Sequence, residues 1–400
     1  MNPPPLVMFE DGAAAHLQPL SLTRPVHDLR VGLLTIREQW QQALGSPATG
    51  LVAAHLRELF PAPPQAPAEG CLWINARYLP TPAVVAAVAA LDFGYLRCGD
   101  ELVAARSNAA ETAAWVSAGE PSPRGRGCEL AADPARLLHP WDISRFAAQG
   151  IASDATASGW PPGRGAGCHP AAVVDLPERL FMHGSAVVEP GAILLAEEGP
   201  IILAAGARVM AGAMLRGPVA VGQDATVRMG ARIYGGTVIG PHSKVGGEVA
   251  ASVFHSYSNK AHEGYVGNSV FGQWVNLGAG TTASNLKMTY GTVKMLDWPT
   301  GLEIDTGEQF VGVILGDHCK TGINTMLNTG TVAGVSSIVV GAGFPARAIQ
   351  SFKWVQPWAV TGYRLDKALL DMERMMARRG VPLTPAYRRM MTAIYELGRG

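Results

Sequence analysis

The chain has 400 residues, and its 32 lysines and arginines balance 32 aspartates and glutamates, so the formal net charge is zero. That balance argues against a basic nucleic-acid-binding surface, and the lack of any uncharged apolar run of ~18 residues argues against a membrane span. Hydrophobic residues at 48% against charged residues at 16% supply material for buried cores, and the length suits two domains better than one.

In chain order, the opening MNPPPLVMFEDG carries neither a basic nor an apolar leader region and is not expected to be a signal peptide. The cysteines are Cys71, Cys98, Cys128, Cys168 and Cys319, an odd set without a CxxC pair, which points to a reduced, cytoplasmic protein. The segments GLLTIREQWQQAL and TPAVVAAVAALDF have helical periodicity and alternate with the strand-like runs CLWINARYL and ELVAAR. This pattern predicts an α/β sheet domain over residues 1–175. The stretch ASGWPPGRGAGCHP, residues 157–170, reads as a loop or linker.

From Leu203 every sixth residue is aliphatic: Leu203, Val209, Leu215, Val221, Val227, Ile233, Ile239 and Val245. A helix would repeat at 3.6 and a strand at 2. A step of six fits a triangular coil, with the aliphatic residue pointing inward and small residues turning the corners. Val187 and Ile193 hold the spacing earlier. The frame resumes at Tyr265, Phe271 and Leu277, and again at Leu315, Thr321, Leu327, Ala333 and Val339. The expected fold is a left-handed parallel β-helix of hexapeptide repeats over residues 176–347. Interruptions fall near 250–264 and 286–311, where loops leaving a solenoid often carry function. Beyond it, LDKALLDMERMMARR and AYRRMMTAIYELG predict two helices within residues 348–400 that cover the coil, their methionines serving as packing.

The densest polar cluster, residues 255–294, straddles the first interruption and holds His255, Lys260, His262, Glu263, Tyr265, Asn276, Asn285, Lys287 and Lys294. Bases and cations gathered where a regular coil is broken mark a candidate site. Forming an amide from an acyl thioester requires a neutral base, and histidine suits that task near neutral pH. The oxyanion needs a donor, which backbone N–H groups at a glycine-rich corner such as LGAG can supply. A phosphorylated acceptor needs lysine or arginine.

The run KAHEGYVGNSVFGQWVNLGAGTTASN is similar to the acetyltransferase domain of the bifunctional UDP-N-acetylglucosamine pyrophosphorylase / glucosamine-1-phosphate acetyltransferase family. With LSLTRP, DLRVGLLTIREQW and INARYLP, nearly the whole chain resembles that family's divergent bacterial branch of sugar nucleotidyltransferases. The resemblance implies that His262 is the general base that deprotonates an amino sugar. It puts Arg232 and Tyr265 at the sugar phosphate, Glu248 beside the base, Asn276 and Asn285 at the substrate, and the Ala279 backbone at acetyl-CoA. A phosphate-binding lysine of the family is Ala250 here, with Lys260 or Lys294 as replacements. Family members are homotrimers with the site between subunits.

For the N-terminal domain the resemblance implies a nucleotidyltransferase acting on a sugar phosphate with a nucleoside triphosphate or nucleotide sugar and Mg²⁺. The family's GxGTR phosphate loop corresponds to GAAAHLQPLSLTRPV, which lacks its second glycine, threonine and arginine. Arg24 is the substitute cation, and Asp100 and Asp11 are candidate Mg²⁺ ligands. The expected function is therefore a bifunctional nucleotidyl- and acetyltransferase. The alternatives are a non-catalytic sugar-nucleotide-binding scaffold, or an enzyme with one working site.

Overall fold

A computed structural model describes residues 4–60, 63, 70–130 and 134–398. The chain divides into two compact units, residues 1–29 with 34–138 and residues 30–33 with 139–400.

The first unit contains β1 (Leu6–Phe9), α1 (Ile36–Leu44), β2 (Ala48–Gly50), β3 (Cys71–Asn75), α2 (Pro82–Ala89), β4 (Gly94–Cys98), β5 (Glu101–Ser107), α3 (Ala109–Ala118) and β6 (Gly127–Glu129). They form one mixed sheet in the order β2-β1-β3-β5-β4-β6. β1 runs parallel to β2 and β3, while β5 is antiparallel to both its neighbours. The predicted helices and strands are α1, α2, β3 and β5. Helix α1 starts where Thr35 and Glu38 exchange side-chain-to-backbone bonds, and it stops at Gly45 with φ +64°. Val7, Phe9, Trp73 and Trp115 pack on one face of the sheet, with the two indoles edge to face at 5.4 Å.

The second unit is a three-sided parallel β-helix. One face is an eight-stranded sheet, the second has nine strands, and the third is split into sheets of five and four. The first face includes Arg232–Ile233, Glu248–Ala250 and Tyr265–Gly267; the third includes Thr226–Val227, Lys244–Val245 and Asn259–Lys260. The aliphatics from Leu203 to Val245 point inward and are buried, each contributing roughly 1.5–3 kcal/mol by leaving water; earlier in the coil the inward residues are Val188 and Leu194, one position after the expected Val187 and Ile193. α4 (Asp142–Ala157) packs along the second face, which is why its outward residues Ile202, Ala220 and Val238 are apolar and buried. The boundary between the two units falls at 138/139 and groups α4 with the coil. The predicted C-terminal helices are α5 (Leu365–Ala377) and α6 (Pro385–Leu397), and they bury Met372, Met376, Met390 and Met391. No helix among the described residues is long and apolar enough to cross a membrane.

Two features correct the hexad reading. The coil continues through residues 250–264, because Val253–Ser256 and Asn259–Lys260 pair with the turns beside them. The inward residue where the frame resumes is Val266, and Tyr265 faces outward, because Val266 and Phe271 are five positions apart rather than six. Residues 286–311 do leave the coil, and within them Lys294–Asp297 pairs with Leu302–Asp305 as a hairpin.

One corner of the coil carries His242, Tyr257, Trp274 and His318 in successive turns, all with φ between +53° and +62°. Side chains other than glycine adopt this conformation at a cost. Here the rings stack along the coil axis, with centroids 4.5, 4.2 and 6.1 Å apart, which offsets part of it. The Tyr387 hydroxyl of α6 lies 2.9 Å from His318 Nε2 at the end of the column.

Candidate functional site

On the third face, Lys244, Asn259, Asn276 and Lys320 occupy neighbouring rungs and point outward. Helix α5 and the two residues after it lie across them. The Arg379 guanidinium donates to Asn259 Oδ1 at 2.8 Å and to the His242 carbonyl at 3.3 Å. Between coil and helix is a cleft of about 790 Å³. Six cations line it, Arg228, Lys244, Lys320, Arg374, Arg378 and Arg379, and no carboxylate among the described residues does. Asp371 stands 3.5 Å from Arg374 at the edge. The crowding bears on Lys244, whose pKa is held below its ordinary value first by Arg379, then by burial, Arg228 and Arg378. An anion with several charges would relieve this repulsion.

His262 is exposed at the rim of the cleft, on the corner between the third and first faces. Asn276, Gly278 and Ala279 form part of the floor. The Ala279 carbonyl accepts from Asn324 N at 2.7 Å, while the Ala279 N–H has no acceptor among the described residues. That N–H is therefore available to a ligand.

Around the corner, Arg232, Glu248 and Tyr265 stand in register on the first face. Arg232 lies 3.5 Å from Glu248 and 3.2 Å from Glu263. Tyr265 is bonded to Asn285, and Asn285 donates to Asn268 Oδ1 at 2.7 Å; burial is the main reason the Tyr265 hydroxyl titrates above its ordinary value. The sequence-derived residues thus fall into two groups flanking His262. Lys260 belongs to neither. It points into the prism with 2% exposure and donates from Nζ to the Gly246 and His262 carbonyls, at 3.0 and 2.7 Å. It is not placed to meet a substrate phosphate, because its rung turns that position inward. Lys294 is exposed on the inserted hairpin. The His255 side chain contacts Ser256 Oγ at 3.0 Å.

In the first unit, Glu10 and Asp11 follow β1 directly. The residues aligned with the phosphate loop form a 3-10 helix, Gly12–Leu17, capped by Asp11, which accepts from Ala13 N. Both Asp11 oxygens are engaged by Arg77, at 2.8 and 2.5 Å, and Asn75 adds a bond at 2.8 Å. Arg77 is fully buried and also lies 3.1 Å from Glu101, to which the Tyr78 hydroxyl donates at 2.6 Å. Burial alone would raise the Asp11 pKa, but the bonds and charge of Arg77 outweigh it and hold the carboxyl below its usual range. Glu10 accepts from Val26 N at 2.6 Å, and burial pushes its pKa up to about 7. Arg24 is buried and donates to Thr23 Oγ1. Asp100 sits in the exposed turn between β4 and β5, where its carbonyl accepts from Arg97. Its neighbour Glu101 is committed to Arg77 and Tyr78, and Asp100 belongs to no three-ligand group among the described residues. As arranged, Asp11 is committed to Arg77 and Asn75 and is not open to a Mg²⁺. Of the Asn75–Arg77–Asp11–Glu101 network, only Asp11 is in the sequence-derived set, as a metal ligand and not as the partner of Arg77. Its one trace was the polar pair in INAR directly after an apolar strand.

Residues 6–158 match the family model described as sugar nucleotidyl transferase. Over 100 residues the chain is 36% identical to the bifunctional sugar-1-phosphate nucleotidylyltransferase/acetyltransferase of Sulfurisphaera tokodaii, and this covers 24% of each protein. The chain thus spans about a quarter of that relative's length. Both matches bear out the family resemblance. Among solved structures, the UDP-N-acetylglucosamine acyltransferase of Francisella novicida is 14% identical with a TM-score of 0.33, covering 57% of this chain and 78% of its own. AntD, an N-acyltransferase from Bacillus cereus solved with dTDP and 3-hydroxybutyryl-CoA, is 12% identical with a TM-score of 0.22, covering 52% and 91%.

Proposed function

We propose that this chain, whose residues 6–158 match the family model described as sugar nucleotidyl transferase, is a two-part cytoplasmic transferase of sugar phosphates. Its coil moves an acetyl group from acetyl-CoA to the amine of an amino-sugar phosphate. The observation that carries this reading is the placement of His262 at the rim of a carboxylate-free, six-cation cleft. Acetyl-CoA is a thioester bearing several phosphate charges, and such a donor matches that lining. The acceptor lies across the corner, with Arg232 and Tyr265 at its phosphate, Asn285 at the sugar, and Glu248 on the same ladder.

The amine attacks the thioester carbonyl, and His262 takes the amine proton as the C–N bond forms. The Ala279 N–H stabilises the oxyanion. Collapse breaks the C–S bond, and His262 returns the proton to the leaving thiolate. Purified chain should release thiol from acetyl-CoA with one or more amino-sugar phosphates, and His262→Ala should slow that release at least ~100-fold. An unchanged rate in the variant refutes the base assignment.

The family match supports nucleotidyl transfer in the first unit, with a nucleoside triphosphate as donor. A second reading, with the coil alone active and the first unit binding a nucleotide sugar, is favoured by the Asp11–Arg77 pair standing where the phosphate loop would be. Radiolabelled pyrophosphate exchange decides between them: exchange above background supports nucleotidyl transfer, and its absence at every Mg²⁺ concentration supports the second reading.

A further inference from the structure

The third face of the prism has an inward column of Val188, Val209, Val227 and Val245 in register, and the next rung places Lys260 on it. An ammonium in an apolar column costs stability, so what it contributes lies in what it holds. Its two acceptors are the carbonyls of Gly246 and His262, at 3.0 and 2.7 Å. These belong to adjacent rungs of the corner that carries the base. The upper rung is shortened: Val245 and Val249, both inward, are four positions apart, whereas Val227 and Ile233 one turn earlier are six apart. The lower rung presses against the shortened one so closely that a Cβ on Gly247 would lie 2.8 Å from both the His262 carbonyl oxygen and Lys260 Nζ. The amine fills the gap left by the shorter corner and joins the two rungs from inside the coil.

We propose that Lys260 is a positioning residue: its amine clamps the Gly246 and His262 backbone from within the prism and so fixes the direction in which the imidazole enters the cleft. The catalytic half of this statement rests on His262 being the base. The clamp itself does not. A clamp of this kind leaves the donor's contacts with the surface cations untouched, so it acts on turnover and not on donor binding.

The test is Lys260→Met in the full chain, since methionine has a similar unbranched length and suits an apolar column. Two readouts are taken. In thiol release, kcat should fall 10- to 100-fold while KM for acetyl-CoA stays within twofold. In amide hydrogen exchange, the Glu248 and Gly280 N–H groups donate to the Gly264 and Glu263 carbonyls of the same corner. Their exchange should accelerate at least tenfold, while the Val219 and Val238 amides on the second face hold their rates. Unaltered exchange overturns the clamp whatever the activity. Accelerated exchange with unaltered kcat overturns its link to catalysis. If the unmodified chain releases no thiol with any acceptor, the base assignment fails, and exchange alone decides the clamp. Should the methionine variant not fold, Lys260→Leu, which suits an apolar column and has no side-chain N–H donor, replaces it under the same criteria.

Discussion

The buried Lys260 makes stability depend on pH in a way that can be worked out in advance. The unfolded chain keeps this proton up to about 10.5, whereas burial, the largest influence, brings the folded-state pKa down to about 8; Glu263 opposes the change and Arg232 adds to it. Below pH 8 both states are protonated and the fold carries the full cost of the buried ammonium. Between 8 and 10.5 the folded state has released the proton and the unfolded state has not, so stability contributed by this residue rises with pH. A difference of about 2.5 pKa units corresponds to about 3 kcal/mol. Comparing Lys260→Met with the unmodified chain in the same buffers cancels the other titrating groups. Urea denaturation followed by circular dichroism at pH 7.5 and 10.5 should show the stability difference shifting by about 3 kcal/mol towards the lysine form at the higher pH. A difference constant to within about 0.5 kcal/mol would refute the assignment of a costly interior ammonium.

Exchanging Arg378 and Arg379 for glutamine should weaken acetyl-CoA binding about tenfold or more by calorimetry, and the dependence of binding on salt should flatten with them. Arg77→Met leaves Asp11 and Glu101 without their buried cation, and should destabilise the first unit by about 3–5 kcal/mol in denaturant. Glu10 has a folded pKa of about 7, raised chiefly by burial. The stability it contributes is present at acid pH and lost as pH rises from 4.5 through 7, so Glu10→Gln should stabilise the chain above pH 7 and have little effect below 4.5.

The coil was legible because a prism imposes its period on every turn, and Leu203 through Val245 obey it without exception. The frame became harder to follow after Val245, where corners shorten and a count of six lands on Tyr265 instead of Val266. The same shortening hid Lys260, since a lysine in a polar run reads as solvated until its rung is known. His262, Asn276 and Ala279 could be singled out from local sequence because they sit within one or two turns of one another. The cations facing them could not. Arg378 and Arg379 lie about a hundred residues further along, just past a helix whose methionines explain its packing but not the charge at its end. The Asp11–Arg77 pair spans 66 positions and leaves no periodic trace.

The column of His242, Tyr257, Trp274 and His318 has a mechanical consequence. Each ring stacks on the rings above and below it, so this edge behaves like a seam sewn along the coil's length and not around its girth. Removing the Trp274 indole would leave two stacked contacts unmade on one edge and none on the opposite face. Strain there would open the coil lengthwise, beside the cleft that Tyr257 and Trp274 also line.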